Sequence, residues 1–194
     1  MSSSNATSIR DEYKAQTRDR ILDAAIDLMS EAGEQPLTIA SVAGRAGVTD
    51  RTVYRHFETR EALIGATWRR MQGRVGSEGF PSSANALIES PRKLFPRFDH
   101  HRELVRASVY SPAGLDVRLA SNSARQQSAI ASVTEALPGL DERSARRRAA
   151  IAQLINSAYA WEVIREFWGF DGREAGEAAS EALAILLGRQ PASQ

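Results

Sequence analysis

The clearest chemistry in this sequence lies in a run of hydrogen-bonding side chains between positions 50 and 56. Arg51 carries a forked guanidinium that can bind guanine, and the Asp50 carboxylate can accept a hydrogen bond from a cytosine amino group. Thr52, Tyr54 and His56 offer hydroxyl and imidazole donors that suit phosphate oxygens. We therefore expect this segment to contact nucleic acid.

Two short helices that meet at Gly47 would hold these side chains outward. Glycine gives the backbone the freedom that a tight turn between helices needs. Thr49 is a suitable N-cap for the helix that follows, and Val53 and Phe57, four residues apart, would anchor its inner face. The residues between those anchors must point away from the core. This arrangement is typical of a helix-turn-helix that reads DNA.

The neighbouring helix starts add possible phosphate contacts. Thr38 and Thr59 are predicted N-caps, so the helices they begin present free backbone N–H groups, with Arg60 beside the second. The alternative is that all these residues form only the solvated face of a small three-helix bundle. Their combined order favours DNA binding.

Composition limits the possible classes of protein. The 194 residues are 42% hydrophobic and 25% charged, as in an ordinary globular protein. The absence of cysteine excludes disulfides, thiolate metal sites and cysteine nucleophiles. The formal net charge is only +1, although four arginines and two acidic residues between positions 45 and 60 leave a local charge of +2. No run of 18 apolar residues and no signal-peptide core occur, so we expect a cytoplasmic protein without a membrane partner.

Apolar residues recur every three or four positions along nearly the whole chain, which predicts an all-α fold. We expect a disordered arm at residues 1–13, a three-helix helix-turn-helix DNA-binding domain at 14–60, and a helical ligand-binding and dimerisation domain at 61–190. The first helix is expected from about Thr17 to Ala32, with Gly33 as its stop. The later predicted elements are a fourth helix at 60–74, short helices punctuated by Pro91, Pro96 and Pro112, and long helices at 115–137, 142–168 and 172–187.

Residues 21–63 resemble the N-terminal domain of the TetR family of bacterial transcription regulators. The resemblance rests on three segments, RDRILDAAIDLMSEAG, LTIASVAGRAGVT and TVYRHFETREAL. It implies a domain that binds the major groove as a dimer, and a larger helical domain that binds a small-molecule inducer. Such proteins are most often repressors that bind a palindromic operator.

The resemblance also implies which residues contact DNA. Arg60 stands where the family usually has lysine, which keeps the charge. Asp50 is acidic where a neutral or basic residue is commoner, so it either reads cytosine or orients a neighbouring arginine. The family's DNA-contacting positions fall on Thr38, Asp50, Arg51, Thr52, Tyr54, His56 and Arg60.

Two stripes of apolar or small residues predict a homodimer. One stripe lies on the predicted helix 142–168, and the other would let a second helix approach closely on 172–187. Together with the resemblance, they favour a four-helix bundle formed by two subunits over an ordinary intramolecular core. The first stripe is Ile151, Leu154, Ile155, Ala158 and Trp161, and the second is Ala175, Ala178, Ala179 and Ala182.

An inducer pocket is expected between the fourth helix and the helices up to about residue 160. The effector should be a small, largely apolar molecule, and the alternative is a C-terminal domain that binds a protein partner. The fourth helix is expected to act as a lever, because it is the only element that touches both the pocket and the helix at positions 50–56 that would read DNA, which we call the recognition helix. The expected lining residues are Trp68, Met71, Phe95, Phe98, Tyr110 and Trp161.

Catalysis has little support in the sequence. His100 and His101 follow Asp99, but adjacent residues on a helix point in different directions, and no second cluster has metal-ligand spacing. No nucleophile elbow, P-loop or glycine-rich dinucleotide turn is present. We expect neither an enzyme nor a bound metal or cofactor.

Overall fold

A computed structural model describes residues 9–31, 37–77 and 79–190. Within these ranges every regular element is a helix, which confirms the predicted all-α class. The helices are α1 (Ile9–Ser30), α2 (Ile39–Ala46), α3 (Asp50–His56), α4 (Arg60–Val75), α5 (Ala84–His100), α6 (Arg102–Tyr110), α7 (Pro112–Leu119), α8 (Asn122–Ala136), α9 (Glu142–Ile155), α10 (Ala158–Trp168) and α11 (Gly172–Leu186). None of these described helices is long and apolar enough to span a membrane.

The first four helices form the part that we call the head. Thr38, Thr49 and Thr59 cap α2, α3 and α4 as predicted, each accepting a backbone N–H three residues on. Gly47 adopts the left-handed conformation, with φ 64°, and its N–H reaches the carbonyls that end α2. The head is therefore built from local signals that are legible in the sequence.

The start of α1 differs from the prediction. The helix begins at Ile9 rather than near Thr17, so the prediction of a disordered arm is wrong for residues 9–13. This first part has no buried side chain to give a periodic signal, because the buried face of α1 begins at Ile21. Residues 1–8, Ala32 and the predicted stop at Gly33 lie outside the described residues.

The remaining helices, α5 to α11, form the part that we call the body. Pro91 and Pro96 lie inside the single helix α5 instead of separating short helices, which corrects the prediction. Tight packing against α11 offsets the local cost of proline. A Cβ on Gly172 would lie 2.5 Å from the Phe95 carbonyl oxygen, and one on Gly176 would lie 2.8 Å from that of Pro91.

Two predicted long helices are broken. The predicted helix at 115–137 divides near Ser121 into α7 and α8. The predicted helix at 142–168 ends at Ile155 and restarts at Ala158, where Ser157 caps α10 through the Ala160 N–H at 3.3 Å. The apolar periodicity of the sequence continues across both breaks. A prediction from periodicity alone therefore merges each pair of helices into one long helix.

One body helix belongs to the core of the head. Ala113 and Val117 of α7 are buried in the same apolar cluster as residues of α1 to α4. Gly114 lets α7 approach α6 closely, since a Cβ there would lie 2.5 Å from the Ala107 carbonyl oxygen. Helix α7 therefore connects the head to the body, and the predicted domain boundary after residue 60 remains a prediction.

Candidate DNA interface and ligand cavity

The outward face of α3 is polar, and its inner face is locked to the head. Val53 is fully buried and Phe57 is 4% exposed. Asp50 and Arg51 are exposed at the start of the helix, and Tyr54 is 51% exposed in its middle. These three side chains are free to meet a DNA groove, as the sequence predicts.

Thr38 and Thr52, which are two of the predicted DNA contacts, also form hydrogen bonds at the starts of α2 and α3. The Thr38 hydroxyl accepts the Ser41 N–H at 3.0 Å, and the Ser41 hydroxyl accepts the Thr38 N–H at 3.1 Å, which completes a capping box. The half-buried Thr52 hydroxyl lies 3.0 Å from that of Thr49. Thr38 remains exposed, so it can still reach a phosphate beside the start of α2.

Arg60 is placed differently from the expectation of a free phosphate clamp. Its Nε donates to the Leu37 carbonyl oxygen at 2.7 Å, and its Nη2 forms an ion pair with Asp116 of α7. The side chain is half-buried between the head and the body. In this structure Arg60 therefore joins two parts of the protein, and a phosphate would have to compete with Asp116 for it.

His56 also departs from its expected position. Both ring nitrogens are enclosed by protein and have no hydrogen-bond partner among the described residues, and the ring centroid lies 6.5 Å from that of Phe57. Burial lowers the pKa of His56, and the positive charges of Arg55, Lys14 and Arg18 lower it further. In this structure the enclosed imidazole does not present a donor to phosphate, so the expected contact of His56 stays a prediction.

Basic residues that the sequence analysis did not assign to the DNA interface lie near His56. Lys14 and Arg18 of α1 lie near the end of α3, where the guanidinium of Arg18 stacks on the Phe57 ring at 5.0 Å. Arg55 is exposed on α3. Lys14 was missed because residues 9–16 were not predicted to be helical, and Arg18, although inside the predicted first helix, has no local signal that places it beside α3.

A cavity of about 310 Å³ lies in the body, beneath the end of α4. Helices α4 to α10 and the segment between α4 and α5 contribute to its wall. This cavity is at the lower end of the size range of small-molecule sites, and most of its lining is apolar. Its apolar side chains include Trp68, Met71, Val75, Phe80, Leu94 and Phe98.

Three of the six expected lining residues face this cavity, namely Trp68, Met71 and Phe98. The other three do not contribute to its wall. Phe95 and Trp161 are fully buried in a neighbouring apolar cluster, and Tyr110 is 63% exposed on the surface. The sequence pattern of an aromatic residue on a helix does not tell whether its side chain lies in the core, in a cavity wall or on the surface. For this reason only some of the six residues lie in the wall of this cavity.

Two arginines in the cavity wall were not anticipated. Arg118 of α7 stacks on the Tyr159 ring at 4.4 Å, and Arg125 of α8 lies over Trp68 at 5.2 Å and over Phe80 at 5.5 Å. Burial lowers the pKa of Arg125, and the charge of Arg118 lowers it further. In the sequence both arginines resemble ordinary surface residues of one continuous helix.

The histidine pair does not form a metal cluster. Asp99 instead holds three elements together, accepting the Trp161 indole N–H at 2.9 Å, an Arg165 N–H at 2.5 Å and the Gly172 N–H at 2.6 Å. His100 bonds the Pro96 carbonyl oxygen through Nδ1 at 2.7 Å. Within the described ranges no group of three or more potential ligands could hold a metal ion.

Some residues of the two predicted dimerisation stripes are buried within the subunit, and others are exposed. Ala175 and Ala179 are buried, on the side of α11 that packs against α5, so the small-residue stripe serves mainly the subunit's own core. Trp161 is likewise internal. Large apolar side chains are exposed on α9, α10 and α11, and two of them, Ile151 and Leu154, belong to the first predicted stripe. This outer apolar face comprises Ile151 (49% exposed), Leu154 (55%), Val163 (50%), Phe167 (81%), Trp168 (73%) and Ile185 (66%).

Comparison with known proteins identifies similar regulators. Residues 21–67 match the family model described as bacterial regulatory proteins, tetR family. The HTH-type transcriptional repressor Rv3405c of Mycobacterium tuberculosis is 26% identical over 178 residues, which cover 86% of this chain and 87% of the relative. The uncharacterized regulator YvkB of Bacillus subtilis is 26% identical over 100 residues, and there the match spans only about half of the relative, 53% of its length.

Solved structures show the same fold. NalD of Pseudomonas aeruginosa, the secondary repressor of the MexAB-OprM multidrug efflux pump, superimposes with a TM-score of 0.60 at 20% identity, covering 90% of this chain and 96% of NalD. FadR of Bacillus subtilis in complex with stearoyl-CoA gives 0.53 at 18% identity, covering 85% and 96%. With the capped helix-turn-helix and the matched family model, residues 21–67 carry the domain that characterises the tetR family of bacterial regulatory proteins, and the chain resembles HTH-type transcriptional regulators along most of its length.

Proposed function

We propose that this regulator is a ligand-responsive repressor, which binds a palindromic operator as a homodimer and releases it when a small molecule fills the cavity of the body. One observation carries the proposal, which is that three consecutive residues of α7 reach three different places. Asp116 pairs with Arg60 at the start of α4, Val117 is buried in the core of the head, and Arg118 lines the cavity. A ligand that displaces α7 would therefore act directly on the DNA-binding head.

The proposed DNA contacts rest on exposure and chemistry. Arg51 would bind guanine, Asp50 would bind cytosine or orient a neighbouring arginine, and Tyr54 would bind phosphate from the exposed face of α3. Thr38 and Thr52 would support phosphate contacts beside the helix starts. His56, whose ring nitrogens are enclosed, would help to hold α3 within the head, and Arg60 would respond to movement of α7.

The proposed dimer rests on the outer apolar face. Monomeric proteins rarely expose large apolar patches, so the concentration of exposed apolar side chains on α9, α10 and α11 favours an interface there. A symmetric pairing would bury Phe167, Trp168 and Ile185, which are each at least 66% exposed in the single chain. Two heads would then be presented to two half-sites, as a palindromic operator requires.

The coupling route differs from the sequence expectation. Helix α4 lines the cavity through Trp68 and Met71, but α7 also connects the cavity with the head, so α4 is not the only lever. A ligand can shift the equilibrium only if it binds the operator-incompetent arrangement more tightly than the competent one. Movement of α7 against α4 would change the spacing of the two recognition helices, which successive major grooves fix at roughly 34–36 Å.

The relatives support this function in outline. Rv3405c and NalD are both named as repressors, and FadR was solved with stearoyl-CoA, so a chain of this fold can hold a small molecule. A repressor acts where the chromosome lies, so the proposed function implies a cytoplasmic location. The cavity favours a small-molecule effector over a protein partner for the body.

Selection of binding sites from a random double-stranded DNA library would test the proposal. The expected result is a palindromic sequence whose half-sites lie about one helical turn, or a multiple of it, apart. Arg51→Ala should then weaken binding to the selected site by about 1–3 kcal/mol and relax the preference at one position per half-site. Failure to enrich any sequence would contradict the proposal, and equal losses on selected and random DNA would limit Arg51 to phosphate contact.

A further inference from the structure

The wall of the body cavity is apolar but carries fixed positive charge. Arg118 and Arg125 enter it from α7 and α8, and none of its described wall residues is acidic. Arg118 Nη1 is enclosed and has no hydrogen-bond partner within the described part of the chain. Enclosing a charged donor without a partner is costly, so a site built this way is completed by an acceptor from outside the protein.

The two arginines are positioned by aromatic rings. Trp68 and Phe80 stack at 6.5 Å with 17° between their planes, and the Arg125 guanidinium lies near both ring faces. Tyr159 supports Arg118 and is itself held by its hydroxyl, which donates to the Val109 carbonyl oxygen at 3.2 Å. Stacking fixes the plane of each guanidinium and leaves its N–H edge available to bind a carboxylate or a phosphate.

The charges of the pair support the same conclusion. The positive charge of Arg118 adds to burial in lowering the pKa of Arg125, and no acidic group among the described residues offsets either effect. The only described side-chain hydrogen bond of Arg125 is a long one, from Nη2 to the Ser121 hydroxyl at 3.5 Å. Two like charges held together in a partly enclosed space are stabilised by a bound anion.

We propose that the effector of this regulator is an anionic amphiphile, whose carboxylate or phosphate group binds Arg118 and Arg125 while its apolar body lies along Trp68, Met71 and Phe98. This inference rests on the proposed function, because it names the chemical class of the ligand for that same cavity. It also explains how ligand binding can affect the head, since Arg118 is two residues from Asp116 on α7. A cationic ligand would meet two arginines and is disfavoured.

Four probes with one alkyl chain and different headgroups test the proposal, namely decanoate, decyl phosphate, decanol and decylamine. Binding to the full-length wild-type protein without DNA is measured by calorimetry below the micellar concentration of each probe. We expect at least one of the two anions to bind about ten- to a hundredfold more tightly than decanol, since hydrogen bonds to a charged group are the stronger ones. Decylamine should bind more weakly than decanol. Comparison of the carboxylate with the phosphate identifies the preferred headgroup.

Substitutions assign the preference to the two arginines. Arg118→Gln and Arg125→Gln should each reduce anion binding toward that of decanol, whereas Arg118→Lys should retain part of the preference. Arg147→Gln, on the exposed face of α9 and outside the cavity wall, is the matched control and should leave it unchanged. Circular dichroism verifies that each variant is folded. Glu78 lies between two wall residues in the sequence and outside the described residues, so the wild-type measurement includes any effect of its charge.

The outcomes separate this inference from the proposed function. Decylamine or decanol binding as tightly as both anions would overturn the anionic assignment, while a ligand-responsive cavity would stand. An anion preference that survives both glutamine variants would overturn the assignment to Arg118 and Arg125. Absence of binding by all four probes would overturn both this inference and the cavity as an effector site of this size.

Discussion

The head and the body of this regulator are specified by different kinds of information. In the head, Thr38, Thr49 and Thr59 begin helices and Gly47 turns the chain, each acting within four residues of its own position. In the body, α5 continues through two prolines because α11 packs against it from the far end of the chain. The head is therefore encoded locally, whereas the body depends on contacts between distant segments.

The chemistry of the two regions differs in the same way. Asp50, Arg51, Tyr54 and Arg55 of α3 are exposed and accessible to a partner outside the protein. The polar groups of the cavity are partly enclosed by aromatic rings and apolar helices. Reading DNA needs an accessible surface, and discriminating a small ligand needs an enclosed one, so the two regions suit the two parts of the proposed function.

The largest expected effect follows from breaking the outer apolar face of the body. Phe167→Glu with Ile185→Glu should convert the dimer to a monomer and weaken operator binding by roughly a hundredfold or more, since the second head no longer binds in the same complex. Light scattering reports the mass, and circular dichroism verifies that the helices remain. A wild-type monomer at micromolar concentration would contradict the proposed dimer.

A matched control for this prediction lies on the inner face of α11. Ala179 is 2% exposed and packs inside the subunit, so Ala179→Glu should unfold the body rather than separate two folded chains. A folded Ala179→Glu monomer would show that the small-residue stripe, and not the outer apolar face, forms the interface.

Glycine-to-alanine substitutions should change the free energy of unfolding in opposite directions in the closely packed body and on the open surface of the head. Gly114→Ala places a Cβ 2.5 Å from the Ala107 carbonyl oxygen and should destabilise the protein by about 1–3 kcal/mol. Gly44 of α2 has nothing within 4 Å of an added Cβ, so Gly44→Ala should stabilise it by up to about 1 kcal/mol. Urea unfolding measures both. Equal effects of the two substitutions would contradict the distinction.

The junction between the two regions predicts a smaller effect on DNA binding. Asp116→Asn removes the ion pair that holds Arg60 and should free its guanidinium for phosphate, which strengthens binding to all sequences. The slope of log affinity against log salt should steepen by about one phosphate contact. An unchanged slope would show that Arg60 does not reach DNA even when it is released from α7.

The smallest expected effect is a pH dependence of the head. The folded protein lowers the pKa of His56 below its ordinary value of 6.5, so the unfolded chain binds the proton more readily. The free energy of unfolding should therefore fall as the pH falls through that value, and level off below the lowered pKa. His56→Gln should reduce this dependence, while His100→Gln at an exposed position should not. Equal pH profiles of wild type and His56→Gln would contradict the assignment.

The sequence predicted those parts of the molecule whose causes are local. Helix caps, the turn at Gly47 and the exposed face of α3 follow from residue types at fixed short spacings. The Arg60–Asp116 pair joins positions 56 residues apart in the chain, and no local pattern indicates it. Arg118 and Arg125 looked like solvated residues because the break at Ser121, which separates α7 from α8, has no proline or glycine to mark it.

Helix α7 is proposed to couple the cavity of the body to the DNA-binding head. The most direct test is the affinity of the preferred anionic probe for the free protein and for the protein saturated with its selected operator. We predict weaker probe binding to the complex, and weaker operator binding to the probe-saturated protein by the same factor, because allosteric coupling is reciprocal. Equal probe affinities in the presence and absence of operator would contradict the claim.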